Sequence, residues 1–357
     1  MTILKMWRAL FNRQQLDTLI FFITDRCNSR CRSCFYWQNL NQHSDLSLDK
    51  INKMATSLPR FTSLLISGGE PSLRDDLPEI INAFSKHSSI SFVSIPTNGL
   101  LTDKVVMLVK KICSTNTQLV VTISVSIDGF EKTSEDIRGI PGGWARSITT
   151  LKKLLALKKN FSNLRVAVNT LVCRETLDTL TEFSDYLIKN YSLDAHNLEI
   201  IRGDARDPSL KEFGPRELQK IFDLEKKIHL HYFKKNFKSP NTLRRIYHLA
   251  IYLLSLVVMK TQRRLLLKKQ PWLFDCLAGR TIMVVDSRGY LKACELRPAA
   301  VDLFHYDYNI TKAQNSEDFK AEIETIKKTP CPCTHGCFIN SSVRHEPLGL
   351  IKTLLLR

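Results

Sequence analysis

No Asp or Glu occurs between Lys226 and Phe274, a stretch that holds twelve Lys and Arg, and none occurs in the first sixteen residues, where Lys5, Arg8 and Arg13 stand. These two stretches supply +15 of the formal net charge of +17, so the excess belongs to a local surface and the remainder is nearly neutral. An apolar run of leader or bilayer-spanning length is also missing. Met1–Leu16 carries cations throughout, and the apolar stretch Ile246–Met259 falls short of the about 20 residues that a span requires. For a 357-residue chain with ten cysteines, that favours a reducing compartment and metal binding over disulfides, and a cytoplasmic location is expected. There is no internal repeat and no low-complexity tract. At 43% hydrophobic and 24% charged, the composition is that of a globular protein of one large domain, or of one large and one small.

What is present begins with an alternation. Short β-branched or apolar runs occur at Leu19–Thr24, Ser63–Ser67, Ser91–Pro96, Val120–Ile127, Arg165–Val172 and Leu198–Ile201. Segments with helical spacing lie between them, at Leu48–Leu58, Leu77–Lys86, Thr102–Ile112, Trp144–Lys158 and Thr176–Asn190. Six βα units in succession call for an α/β fold with a parallel sheet, too few strands for a closed barrel but enough for a partial (β/α)6 TIM-like barrel. After Arg202 the pattern breaks into a loop and a basic, helical stretch. A hairpin signal follows in "RTIMVVDSRGYLKAC", with its turn at Ser287–Gly289. The expected divisions are an amphipathic segment 1–18, a core 19–205, a basic and apolar helical insertion 206–270, a cysteine-rich β-hairpin and helix extension 271–345, and a tail 346–357.

Directly after the first strand stands "TDRCNSRCRSCFYW", with Cys27, Cys31 and Cys34 and, threaded between them, Arg26, Arg30 and Arg32. A structural zinc site normally takes four ligands. Three thiolates hold three corners of a [4Fe–4S] cube and leave one iron open, and nearby arginines ease the negative charge. Four further stretches follow in order, each at the end of an expected strand or just beyond: Gly68, Gly69, Glu70 and Pro71 in "LLISGGEPSL", Asn98 in "PTNG", Ser126 and Asp128 in "VSIDG", and Arg138 in "EDIRGIPGGW".

In this arrangement the chain resembles the radical S-adenosylmethionine (radical SAM) superfamily over residues 19 to about 202. The resemblance implies that the open iron binds the amino-acid part of SAM. It implies that the GGEP turn meets the methionine ammonium, that Asn98 helps position SAM, that Ser126 and Asp128 position its ribose and methionine portion, and that Arg138 approaches the carboxylate. It further implies reductive cleavage to a 5′-deoxyadenosyl radical that abstracts hydrogen from a substrate, with an electron donor such as flavodoxin or ferredoxin. Ser33 departs from the pattern, since the family usually has an aromatic residue there; Phe35, Tyr36 or Trp37 are the candidates to compensate.

The tail resembles the family's SPASM or twitch extension: Cys276, twelve residues, Gly289, four residues and Cys294, then Cys331, Cys333 and Cys337 in "CPCTHGC". Five thiols fill one cube and not two, so a single auxiliary [4Fe–4S] cluster is expected, with Cys276, Cys294, Cys333 and Cys337 as ligands and Cys331 or His335 as substitutes. In twitch-bearing relatives such a cluster takes part in substrate oxidation. Cys113 and Cys173 read as packed residues.

The substrate is not written in the sequence, and no catalytic acid or base is picked out among Glu199, Arg202 and Asp204 near the last strand. A small or lipid-linked metabolite ranks first. A peptide-modifying maturase ranks second, because only eighteen residues precede the first strand. A non-enzymatic metal-binding module ranks third. The basic segment fits either a buried helix or one lying on an anionic membrane surface, which would make the protein peripheral to the membrane. Nucleic acid ranks below a membrane or an acidic substrate as the partner of this charge, because the cations flank aliphatic runs and do not alternate with stacking aromatics.

Overall fold

The structure is a computed structural model that describes residues 13, 15–42, 45–238, 240–329, 331 and 333–356. The amphipathic start of the chain, up to Asn12, lies outside the described residues.

β1 (Thr18–Thr24) reads TLIFFIT, and all seven of its residues are buried. A strand apolar on both faces needs cover on both, which a parallel sheet between helices provides. β2 (Ser63–Gly68), β3 (Phe92–Thr97), β4 (Val120–Ser126), β5 (Leu164–Val172) and β6 (Ala195–Ile200) follow. They lie side by side in chain order, and every neighbouring pair is parallel. Helices Leu48–Ser57, Leu77–Ser88, Thr102–Thr115, Gly143–Leu157 and Leu180–Asn190 connect them. This is the expected (β/α)6 core of a partial TIM-like barrel, and it puts every strand's C-terminal end on one edge.

The hairpin forms where its turn chemistry indicates. β7 (Ile282–Val285) and β8 (Tyr290–Lys292) pair antiparallel, and β9 (Val301–Asp302) adds to β8. Asp286 Oδ1 accepts from Arg288 N and Tyr290 N, both at 3.0 Å, while Gly289 takes φ +94°. The hairpin is not a separate piece. It continues the sheet beyond β1, in the order β1-β7-β8-β9.

Two compact units result, and they differ from the expected divisions. One comprises Leu16–Glu212 with Met283–Ala321, the sheet and its helices. The other comprises the described parts of Met1–Gln15, Phe213–Ile282 and Glu322–Arg357. In this helical unit, Pro215–Phe237 buries the stripe Leu218, Ile221, Phe222, Leu224, Ile228 and Tyr232. It packs on Thr242–Lys268, with the Phe233 and Tyr252 rings stacked at 4.5 Å. Helices Gly336–Arg344 and Pro347–Leu355 pack on Thr242–Lys268 as well. The expected extension 271–345 is therefore divided. Cys294 falls in the sheet unit, and Cys276, Cys331, Cys333 and Cys337 fall in the helical one.

Candidate active site

Cys27, Cys31 and Cys34 occupy the loop that leaves β1 at the C-terminal edge of the sheet, and hydrogen bonds fix that loop from three sides. Asn41 clamps Cys27, its Oδ1 accepting from Cys27 N at 2.9 Å and its Nδ2 donating to Cys27 O at 3.2 Å. The last carbonyls of helix Glu131–Arg138 accept from the loop, Ile137 O from Arg32 N at 2.8 Å and Arg138 O from Arg30 N at 3.1 Å. Arg206 N and Asp207 N donate to Cys34 O and Arg32 O at 3.1 and 2.8 Å.

Two of the three threaded arginines are engaged by carboxylates, while Arg30 lines a cleft with Cys31. Arg26 pairs with Asp45, and Arg32 pairs with Asp207 at 2.6 Å and Glu175 at 2.7 Å. The cations that lower the Cys31 and Cys34 thiols are Arg138 and Arg206. Burial pushes the Cys31 thiol up while Arg138 pulls it down. Burial pushes Cys34 up to about 11, against Arg206 and Arg138, and pushes Cys27 up to about 12.

The glycine pair meets this loop's backbone. Gly69 N donates to Thr24 O and Glu70 N to Arg26 O, both at 2.8 Å. A Cβ on Gly69 would stand 2.1 Å from Arg26 O, and one on Gly68, at φ +107°, would stand 2.3 Å from Thr24 O. Gly69→Ala is therefore expected to displace the cysteine loop and cost about 2–3 kcal/mol, read as a lower urea midpoint, with reduced iron uptake. A wild-type midpoint would remove this explanation of the pair.

Pro71 opens a 3₁₀ turn, Pro71–Leu73, for which Glu70 is the N-cap. The Glu70 carboxylate is buried and turned inward. Its Oε1 accepts from Ser72 N at 3.1 Å and Thr97 Oγ1 at 2.8 Å, and its Oε2 from Asn98 N at 2.7 Å. Asn98 in turn donates through Nδ2 to Asn28 Oδ1 at 2.7 Å and Ser29 Oγ at 3.0 Å, tying β3 to the cysteine loop. Asp128 Oδ1 accepts from Leu171 N at 2.8 Å, and its Oδ2 lies 2.9 Å from Arg138 Nη2. Asn98, Ser29 and Arg138 line one crevice. Ser126 ends β4 opposite Asn169 and takes no part in this network among the described residues.

Asn28, Ser29, Asn41, Thr97 and Arg206 went unread in the sequence; the first two stand inside the quoted motif. Of the aromatics proposed to offset Ser33, Tyr36 packs edge-on against Phe22 and bonds Ser287 at 2.8 Å. Phe35 lies under the Arg202 guanidinium at 5.4 Å. Trp37 lines a cleft of about 260 Å³ with Arg30, Cys31, Asn41 and Arg206. Arg202 also pairs with buried Glu295 at 3.0 Å and with Glu199 at 3.3 Å, whereas Asp204 is exposed.

The donor set suits a cube. Each cysteine takes a separate iron, so three need not converge on one ion, and among the described residues no three His, Cys, Asp or Glu side chains do. Arg138 Nε is buried with no hydrogen-bond partner among the described residues, a donor left over for a carboxylate. Glu70 Oε2 keeps a second lone pair. In the helical unit, burial raises Cys276, and nearby Cys331 raises it further. Cys333 is buried there and accepts from His335 N at 3.3 Å. Cys113 and Cys173 are packed in the core, as expected.

Residues 21–187 match the Radical SAM superfamily. The chain is 30% identical over 201 residues to a probable GTP 3′,8-cyclase of Methanococcus maripaludis, covering 56% of this chain and 63% of that one. It is 30% identical over 144 residues to the Fe-coproporphyrin III synthase of Methanosarcina barkeri, covering 40% and 34%. These matches thus span less than two thirds of either relative. Among solved structures, Streptococcus suis SuiB bound to S-adenosylmethionine shares the fold with a TM-score of 0.57 at 14% identity, covering 89% of this chain and 70% of that one. The anSMEcpe structure with bound AdoMet and the Cp18Cys peptide gives 0.57 at 14%, covering 92% and 88%.

Proposed function

This chain is a member of the radical SAM superfamily through residues 21–187, and on that premise we propose that it is an enzyme that reductively cleaves SAM to modify a C–H bond of a small or lipid-linked metabolite. The observation that carries the proposal is the cysteine loop fixed at the sheet's C-terminal edge between helix Glu131–Arg138 and the Gly68–Gly69 turn. Cys27, Cys31 and Cys34 would hold a [4Fe–4S] cluster, which when bound supplies the electron that splits SAM into methionine and a 5′-deoxyadenosyl radical able to abstract hydrogen.

The chain's own groups then bind and orient. Arg138 Nε offers a donor to the methionine carboxylate, held in place by Asp128. Glu70 Oε2 offers its remaining lone pair to the ammonium, while its other contacts fix the loop ends around it. Asn98 stays assigned to positioning SAM, and Ser126 to its ribose and methionine portion. Trp37, on the Cys31 cleft, is the aromatic best placed for the adenine. Arg30 and Arg206 on the same cleft suit an anionic substrate.

A second cluster is proposed on the tail cysteines. The helical unit alone supplies four thiols, Cys276, Cys331, Cys333 and Cys337, enough for one cube without Cys294. It would accept or relay an electron during substrate oxidation, and a flavodoxin or ferredoxin would supply the first electron.

The names of the two relatives, a porphyrin synthase and a GTP cyclase, favour a small-molecule substrate. A peptide substrate is the second reading, supported by the shared fold of the peptide-bound anSMEcpe structure. Family membership favours both over a non-catalytic module. The test is anaerobic reconstitution with iron and sulfide, then iron counting and chromatography of SAM incubated with dithionite. About eight irons per chain and 5′-deoxyadenosine are expected. Zinc in place of iron, with SAM intact, would overturn the proposal.

A further inference from the structure

The last helix of the helical unit, Pro347–Leu355, is inside out for a globular protein. Its buried positions are Gly349 and Thr353. Leu348, Ile351 and Leu355 recur at helical spacing on one face and are 70%, 52% and 77% exposed. Helix Thr242–Lys268 has the same character over its first half, where Leu243, Ile246 and Tyr247 are 70%, 56% and 60% exposed and Leu249 and Ile251 are exposed too. Apolar faces of this kind on a water-soluble surface mark an interaction site.

The charge of the unit says what kind of partner. The stretches that make it up contain 23 of the chain's 52 Lys and Arg but only 7 of its 35 Asp and Glu, a net +16 that leaves +1 for the sheet unit. Arg244 and Arg245 flank the exposed apolar residues of the long helix, and Lys352 stands between Ile351 and Thr353 on the short one; all three are exposed. A second copy would bring like charges together. Nucleic acid would leave the aliphatic faces in water.

We propose that the helical unit docks on an anionic lipid surface, with Leu348, Ile351, Leu355 and the Leu243–Ile251 face entering the headgroup boundary and the surrounding lysines and arginines on the lipid anions. The long helix lies on the surface and does not cross it. Although its 27 residues are long and apolar enough for a span, its second half is committed to protein. Val257 and Met259 are buried, Gln262 Nε2 donates to Thr334 O at 2.6 Å, and Lys260 Nζ donates to Leu354 O and Leu356 O at 2.7 Å. The free half is about 20 Å long, short of the about 30 Å of a hydrocarbon core.

The test is flotation of the full-length protein with phosphatidylcholine vesicles, with and without about 30% phosphatidylglycerol. Binding to the anionic vesicles only is expected, weakened when salt rises from about 0.1 M to about 0.5 M. The set Leu348→Gln, Ile351→Gln and Leu355→Gln should weaken it about ten-fold, with an unchanged melting temperature because all three side chains are exposed. Tyr247→Trp should show blue-shifted emission with the anionic vesicles alone. The proposal is overturned by absent or charge-indifferent vesicle binding, by binding that survives the glutamine set, by no emission shift, or by nucleic-acid binding in place of lipid. None of these readouts uses SAM turnover, so failure here leaves the catalytic proposal standing.

Discussion

Replacing Cys27, Cys31 and Cys34 together with alanine is expected to remove about four irons per reconstituted chain and to abolish SAM cleavage. In the proposed site each thiolate would be the sole protein ligand of one iron, so no neighbouring group would take over. The fold should survive, because a buried thiol packs as a small hydrophobe, and the cost is about 1 kcal/mol per site. The pH dependence of the cluster-free proteins separates a lost ligand from a lost fold. Burial raises Cys27 from 9.0 to about 12 and Cys34 to about 11, so both favour the protonated form in the folded chain. Below pH 9 folded and unfolded thiols are both protonated and contribute nothing to the pH slope. Between pH 9 and about 12 the unfolded chain ionises first, and the wild type loses stability that the alanine variant keeps. Retained iron with retained cleavage in the variant would sink the site assignment.

The second large effect belongs to Glu70. Glu70→Ala strands Ser72 N, Thr97 Oγ1 and Asn98 N, three donors that now converge on one buried carboxylate. An unmet buried donor costs about 1–3 kcal/mol, so the variant should lose about 3–5 kcal/mol and melt several degrees lower. Glu70→Gln is the sharper probe: it keeps the volume but turns one acceptor into a donor facing a donor. If Glu70 only touched SAM, both variants would keep wild-type stability and lose only SAM affinity. Calorimetry of the cluster-free chain distinguishes the two roles.

The six βα units were legible because apolar runs such as TLIFFIT are buried on both faces, and such runs stand out from sequence alone. Helix Glu131–Arg138 was not legible. Its Glu131, Lys132, Glu135 and Asp136 mask any stripe, and only Ser134 and Ile137 are buried. Yet its closing carbonyls hold the cysteine loop. Cys27, Cys31 and Cys34 were readable by spacing, whereas the action of Arg138 and Arg206 on Cys31 and Cys34 was not. Arg138 and Arg206 reach the thiols across the fold, and the nearer Arg26 and Arg32 are taken by carboxylates far along the chain. Glu70 was named by its motif, but the three donors that fix its carboxylate were not, because a motif does not say which neighbours turn toward a residue. The separation of Cys294 from Cys276 arises because the hairpin between them joins the parallel sheet, a pairing without a local signature.

That pairing has a consequence for how the protein is made. Among the described residues β1 precedes every other strand in the chain, and one of its edges is covered by β7, which ends at Val285. Until Ile282–Val285 has been synthesised, the emerging chain holds this seven-residue buried strand with one row of backbone donors and acceptors unpaired. Such an edge templates association with other chains. A chain ended before Ile282 is therefore expected to associate through this edge, and the hairpin acts as the stitch that closes the sheet late.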